Sequence, residues 1–332
     1  VHISGNWFMA YRGNIPSEGD NFFGLKRGYI TFKKNLNETF SIRYTQDITI
    51  DKEGSDAGNI ELLFKYCYLK AALPEVLFFT QPFVEVGLVH RPWMEFEQKI
   101  NTYRVQGKMF LERFAVISSA DFGINAVTLL GGKLDDEARE KVKSSLPGKY
   151  GSLSLGVYNG GGYHAIEQNN NKTFEGRLTL RPFPGFMPGL QVTYATANGK
   201  GNDTIQSPFI VNTYYLSFEN PFTTLAAQYY HGTGKEAGYT EWDYNGYSFF
   251  GEVCLSWVPV AIFGRYDHFH SDPSSVIAMD SWDKVYIGGI VWKFYKENRL
   301  LVDIEHTVHT ETFPEPGTTV NTIAELALEI VF

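Results

Sequence analysis

The closing stretch of the chain, TIAELALEIVF from Thr322 to Phe332, alternates without a break. Ala324, Leu326, Leu328, Ile330 and Phe332 share one face of an extended backbone; Ile323, Glu325, Ala327, Glu329 and Val331 share the other. An unbroken apolar row opposite a row that carries carboxylates suits a sheet with lipid or core on one side and water on the other. The same pattern runs from the start of the chain. Gly28, Ile30 and Phe32 oppose Arg27, Tyr29, Thr31 and Lys33, and after the turn 35–38, Phe40, Ile42, Tyr44, Ile48 and Ile50 oppose Ser41, Arg43, Thr45, Asp47 and Thr49. Ile60, Leu62, Phe64, Tyr66 and Tyr68 then oppose Glu61, Lys65 and Cys67, and Val84, Val86 and Leu88 oppose Phe83, Glu85, Gly87 and Val89. Hairpins of this kind build an antiparallel sheet with one polar face.

Further runs centre on Leu155, Leu178, Val192, Leu216, Leu225, Val253, Ile262, Ile290, Val302 and Leu328. The count is about sixteen strands at about 21 residues per strand and connection, which fits tilted membrane-crossing strands. Short links (RPFPGFMPG, ENPF, VPV, KEN) take turns with long polar ones (GGGYHAIEQNNNK, ANGKGNDTIQS, HGTGKEAGYTEWDYN, HSDPSSVIAMDS, HTETFPEPGTT). That alternation predicts a barrel with one quiet rim, which holds both chain ends, and one elaborate rim. Two stretches break the pattern. Arg91 to Ser118 does not read as a strand, and 132–149, with acids early, bases late and a Leu-Pro-Gly stop, reads as a short helical insert on the quiet rim.

The fold class expected is therefore all-β: a transmembrane antiparallel β-barrel occupying 1–332 as a single domain. Its hydrophobic fraction of 43% and mean hydropathy of -0.21 agree with this, since only alternate strand residues need be apolar. A spanning helix is excluded: the best apolar run, Val253 to Gly264, is broken by Ser256 and Pro259 and falls short of the roughly 18 residues required. Cys67 and Cys254 are too few for a disulfide scaffold and, on the fourth and twelfth strands, too far apart to bond. A net charge of -8 argues against nucleic acid as a partner. The chain opens at Val1 without Met or an apolar leader, as expected of an exported protein after processing or of a trimmed one.

Chemistry is sparse. His268 and His270 share a strand face, and His306 and His309 lie near a strand end, but no third ligand is set by spacing; polar residues at a rim account for them, and no metal or other cofactor is expected. Asp303 with Glu305, and Glu325 with Glu329, read as a solvated wall rather than a glycosidase pair, because no apolar pocket adjoins them to raise one pKa. No P-loop, dinucleotide-binding glycines or nucleophilic triad is present in the sequence, so no enzyme is expected. The tryptophans, Trp7, Trp93, Trp242, Trp257, Trp282 and Trp292, invite a carbohydrate-binding reading, yet an interfacial girdle explains those near strand ends. Trp93 lies in the unpatterned stretch and is the aromatic expected to meet solute.

Four stretches, FGLKRGYITFKKNLNETFSIRYTQD, GLVHRPWMEFEQKINTYRVQGKMFLER, GVYNGGGY and TFEGRLTLRPFPGFMPGLQV, resemble bacterial outer-membrane porins related to the phosphate-selective porin O and P family. The resemblance implies a sixteen-stranded barrel in the outer membrane among lipid and lipopolysaccharide, a homotrimer, and an inward-folded third extracellular loop, which would be 91–118. It also implies that the terminal Phe332 is the signal read by the barrel assembly machinery. Those relatives line the pore with arginines, whereas the rows assigned here to the lumen mix Arg27, Lys33, Arg43, Lys65, Arg177, Arg181 and Arg265 with Asp47, Glu61, Glu85, Glu175, Glu252, Asp267, Asp303, Glu305, Glu325 and Glu329. Phosphate selectivity is therefore not implied with the fold.

The function expected is passive diffusion of small hydrophilic solutes or ions. The constriction is expected to place Arg27, Lys33, Arg43 and Lys65 on the wall, facing Glu95 and Glu97 of the loop, with Trp93, Arg104 and Lys108 in the same loop; opposed charges across a neck favour polar solutes. Two other readings are a barrel with a plugged lumen, serving as an adhesin or a sheath for an electron-transfer protein, and a soluble all-β carbohydrate-active protein. An arginine at Leu328 is expected to be costly and one at Ala327 mild, because Ala327 points into water.

Overall fold

The computed structural model describes residues 1–16, 21–52, 55, 57–142, 146–239, 242–272, 280–312 and 316–332. In order, its elements are β1 (His2–Asn14), β2 (Phe22–Asn35), β3 (Phe40–Ile50), β4 (Ile60–Ala72), β5 (Phe79–His90), α1 (Pro92–Ile100), α2 (Phe110–Arg113), β6 (Ala120–Leu130), α3 (Asp136–Glu140), β7 (Gly151–Tyr158), β8 (Thr173–Leu180), β9 (Gln191–Lys200), β10 (Pro208–Glu219), β11 (Thr223–Thr233), β12 (Asp243–Cys254), β13 (Val260–Asp272), β14 (Ser281–Tyr295), β15 (Asn298–Glu311) and β16 (Gly317–Val331). Each strand pairs antiparallel with its neighbours in sequence, and β1 pairs with β16 to close a barrel of sixteen strands. Closure leaves no sheet edge running the length of the wall, the condition for a sheet to stand in lipid. At the seam, Met9 lies opposite Leu328 and Arg12 opposite Glu325. Phe332 exchanges backbone hydrogen bonds with Gly5, 2.9 and 3.1 Å long, and its ring lies where a side chain at position 5 would stand.

The links at 36–39, 73–78, 220–222, 255–259 and 296–297 and the chain ends share one rim, as expected. The insert at 131–150 is on that rim too, but among its described residues only Asp136–Glu140 is helical; the Asp135 side chain caps it by accepting from the Ala138 N–H at 2.7 Å. Residues 143–145 of the insert, and 273–279 and 313–315 of the long links, lie outside the described residues.

The outer face is apolar and exposed, as at Leu62, Ile262, Ile290 and Val302. Six tyrosines, Tyr194, Tyr214, Tyr229, Tyr247, Tyr266 and Tyr286, band this face on consecutive strands β9 to β14; Tyr194 and Tyr214 lie 5.4 Å apart, Tyr266 and Tyr286 4.9 Å. Exposed Trp257 and Trp292 stand near the rim of the chain ends. Two levels of amphipathic rings on an apolar wall match the two interfaces of a bilayer. Cys67 and Cys254 are both free.

Two β-bulges shift faces in a way that simple alternation misses. The β1–β2 register steps at Phe8/Met9, so Lys26 and Arg27 both point inward. The β3–β4 register steps at Thr45/Gln46, with Thr45 opposite Tyr66 and Gln46 opposite Phe64. Lys65 is the extra residue. Tyr66 and Tyr68 therefore turn into the barrel and Cys67 turns out, the reverse of the sequence expectation for those three.

The interior is not uniformly watery. An apolar cluster fills part of it, joining Phe96, Ile100, Tyr103, Phe110 and Val116 to inward wall residues such as Ala195, Tyr215, Phe263, Ile287 and Ala327. Ala327 is inward but 0% exposed, so the expectation that it faces water is overturned: the segment after β5 covers it.

Candidate functional site

After His90 the chain leaves the wall, and until β6 begins at Ala120 its side chains meet inward residues of the wall. Arg91 ties down the start. It is fully buried, its Nε donates to Glu175 at 2.6 Å, and its Nη1 donates to Glu236 of the link after β11. Pro92 opens α1 at the first helical position, where its missing N–H costs nothing, and its carbonyl accepts from Arg177 at 3.0 Å. The Arg177 guanidinium also lies 4.7 Å from the Phe96 ring. Further along, the Tyr103 hydroxyl donates to Glu252 at 2.8 Å, Phe114 stacks on Phe269 at 4.4 Å, and Arg113 forms a two-pronged pair with Glu305 at 2.8 and 3.0 Å. The segment thus packs on the inner face of β8 to β15 and seals that half of the lumen.

The half left open is bounded by β1 to β5 and the free side of the segment. A cavity of about 1000 Å³ opens towards the rim of the chain ends, lined by nine Lys or Arg side chains against four Glu. A second, of about 1310 Å³, lies towards the long-loop rim and includes Arg12, Lys26, Arg27 and Lys108. Arg27, Lys65 and Tyr163 stand between them. Lys65 borders the first cavity and Arg27 the second, and both donate to the Tyr163 hydroxyl at 3.1 Å. Arg27 also holds Asp47 through two bonds of 2.7 and 2.6 Å, and Arg104 pairs with Glu112 on the loop side, both within electrostatic reach of Lys65.

Lys33, Arg43, Lys65 and Arg104 line the first cavity together; Arg27 and Lys108 line the second. Glu95 lines the first cavity and pairs with Lys99 at 2.6 Å; burial opposes its charge, but Lys99 and His90 outweigh it and hold the carboxyl well below its usual range. Glu97 and Trp93 depart from expectation. Glu97 lines neither cavity: it is buried against the sealed half, its Oε2 has no partner, and burial, reinforced by Asp267 and Glu112, raises it to about 8. Glu112 lines neither cavity but stands behind Arg104, its ion-pair partner; burial opposes its charge, and Arg104 and Lys65 outweigh that and hold it at about 2. Trp93 is an anchor, edge-on to Tyr215 at 5.1 Å and 4% exposed, rather than a solute contact.

Sequence reading missed Lys70 and Arg299, which line the first cavity with Lys99, and Tyr163, which lines the second. Lys70 follows Lys65 by five residues, and its face is legible only once the bulge is known. Of the histidines, His268 and His270 face outward, stacked on Tyr247 at 4.9 Å and Trp282 at 5.1 Å, while His309 pairs with Asp283 and Glu311. Among the described residues no three His, Cys, Asp or Glu side chains converge on a metal position.

No protein-family model and no curated protein sequence matches the chain. Solved structures do match along its whole length. OmpT of Vibrio cholerae in a trimer form superposes with a TM-score of 0.63 at 10% identity, covering 100% of this chain and 98% of that one. OmpF of Salmonella typhi in complex with daunomycin gives 0.65 at 11%, covering 100% and 97%. The anion-selective porin from Comamonas acidovorans gives 0.62 at 12%, covering 100% and 99%. The chain has the fold of the outer-membrane porins.

Proposed function

We propose that the protein is a bacterial outer-membrane porin whose water-filled passage favours small anions. The observation that carries this is the inner face of β2 to β4. Lys33, Arg43, Lys65 and Lys70 all line the passage, and among the described residues none has a carboxylate within ion-pair distance. Arg43 instead meets His90 at 3.0 Å and the Tyr66 ring at 4.5 Å. Uncompensated cations in a narrow channel with low-dielectric walls raise the local anion concentration and repel cations. Opposed charges across the constriction, as expected from the sequence, suggest a general diffusion pore. Segregation of those charges supports anion preference instead.

The fold and the two ring levels on an apolar wall support a place in the outer membrane, in contact with lipid and lipopolysaccharide, with Phe332 closing the seam and serving as the signal for the barrel assembly machinery. The trimer form of the Vibrio cholerae neighbour makes a homotrimer the assembly to test by cross-linking in mild detergent. The resemblance to phosphate-selective porins makes phosphate the first anion to set against chloride.

Planar-bilayer recording in a potassium chloride gradient tests the reading. The wild-type protein is expected to give steady ohmic steps and a reversal potential on the anion side. Arg43→Ala with Lys65→Ala is expected to widen the neck and move that potential towards cations. A silent barrel would leave the plugged-lumen reading in its place, and an unchanged potential in the double variant would remove the basic strip from permeation.

A further inference from the structure

The neck is built by more than the segment after β5. That segment leaves the wall at His90, and β5 pairs with β4 only from Cys67 opposite Leu88 to Ala72 opposite Phe83. From Ile60 to Tyr66, β4 has no strand on that side. At this opening the link after β7 sends Tyr163 inward to pack against the cluster of Tyr66, Leu88 and Ala120. Its hydroxyl accepts from Arg27 and Lys65, each at 3.1 Å, and points back at Asp47 Oδ2 at 3.4 Å. A phenol accepts two hydrogen bonds and donates one, so this hydroxyl has its full complement. The Lys65 ammonium also lies 4.5 Å from the ring centroid, and His164 covers the ring at 3.7 Å.

Local sequence permits this placement. Gly160, Gly161 and Gly162 precede the tyrosine. Gly162 has φ +81°, and a Cβ there would lie 2.6 Å from the Ser118 hydroxyl oxygen, so the link presses directly on the end of the inward segment.

Resting on the porin reading above, we infer that Tyr163 is a specificity-determining residue of the neck: its ring sets part of the bore, and its hydroxyl competes with a permeating anion for the N–H donors of Arg27 and Lys65. An anion that binds at the neck takes the place of a neutral oxygen already held there, which weakens its hold and keeps transit fast. Removing only the hydroxyl frees those donors while leaving the ring over the ammonium. Removing the ring opens the bore as well.

Single-channel recording in potassium chloride, with Tyr163→Phe and Tyr163→Ala beside the wild type, tests this. Tyr163→Phe is expected to keep the conductance near the wild-type value, shift the reversal potential further to the anion side, and lower the phosphate concentration that half-blocks the chloride current. Tyr163→Ala is expected to shift the potential likewise and to raise conductance about twofold. A residue that merely anchored its loop would move neither potential nor block in the phenylalanine variant. As a check independent of loop rearrangement, Tyr163→Cys in a Cys67→Ser, Cys254→Ser background is expected to lose current on modification by an anionic methanethiosulfonate reagent. A wild-type barrel that conducts, with both Tyr163 variants matching its conductance and potential, overturns the inference while leaving the porin reading intact; so does full modification of the cysteine without loss of current. A wild-type barrel that does not conduct overturns the porin reading itself.

Discussion

On β2 to β4 Arg27 and Lys26 are paired, with Asp47 and Glu325, but the inward Arg43, Lys65 and Lys70 meet rings, a histidine and hydroxyls instead of carboxylates. On β8 to β16 most inward acids are matched by a cation: Glu175 by Arg91, Glu252 by Lys293, Asp267 by Arg265, Glu305 by Arg113 and Glu329 by Arg299. The acids that give the chain its net charge of -8 are thus largely neutralised where the inward segment sits, and the open half is left positive. Net charge describes solubility and long-range attraction; the sign of a passage depends on which charges keep their partners.

The largest expected effect breaks the contrast at its hinge. Arg91→Ala leaves Glu175 buried without its cation, a loss of about 3 to 5 kcal/mol for a buried pair. Folded yield in detergent is expected to fall steeply, and the channels that do insert should be wider and noisier as the segment loosens. Quiet, wild-type channels from this variant would show that the segment is held by its apolar contacts alone.

Next in size is the pair at the final strand. Leu328→Arg puts a charge into lipid at roughly 2 to 4 kcal/mol. Ala327→Arg forces a larger, charged side chain into a site with no exposure, where overpacking and an unpaired buried charge add. Its folded yield is expected to be at least as low. A mild Ala327→Arg would mean that water, and not the segment after β5, fills that half of the barrel.

A smaller effect concerns pH. Folded protein keeps the proton of Glu97 up to about pH 8, while the unfolded chain releases it near the ordinary value of 4.5. The folded state therefore binds the extra proton, and the stability this site contributes falls as pH rises through that window. Thermal unfolding of the wild type is expected to show the decline, and Glu97→Gln to flatten it. An identical slope in both would place the titration elsewhere. The smallest expected effect is Lys33→Gln, at the wide end of the basic strip: a slight shift of reversal potential towards cations with conductance retained. A shift as large as that from Arg43→Ala with Lys65→Ala would place the narrow zone nearer the chain-end rim.

Much of the wall was legible in the sequence because a strand between lipid and an interior must alternate. The sixteen strands, the two kinds of rim and the free thiols follow from it. That the chain leaves the wall near 91–118 was legible as well, since alternation stops there; where it goes was implied only by the resemblance. Faces beyond Lys65 were not legible, because a bulge inserts one residue without any marker in composition and inverts everything after it. Trp93 shares one apolar face of α1 with Phe96 and Ile100, a pattern that shows only once the segment is read as a helix; Glu97 flanks that face, and only the wall it meets decides that it is covered.

By itself, then, the sequence determined a closed antiparallel wall with an apolar exterior, because every second residue had to satisfy lipid whatever the rest of the chain did. Only the tertiary structure decided which inward charges are neutralised and which face water. That choice depends on residues far apart in the chain, Arg91 with Glu175 and Glu236, Arg113 with Glu305, and Tyr163 with Arg27 and Lys65. An ion pair or hydrogen bond exists only when closure of the barrel brings its two ends within about 3 Å, and no local pattern records that distance.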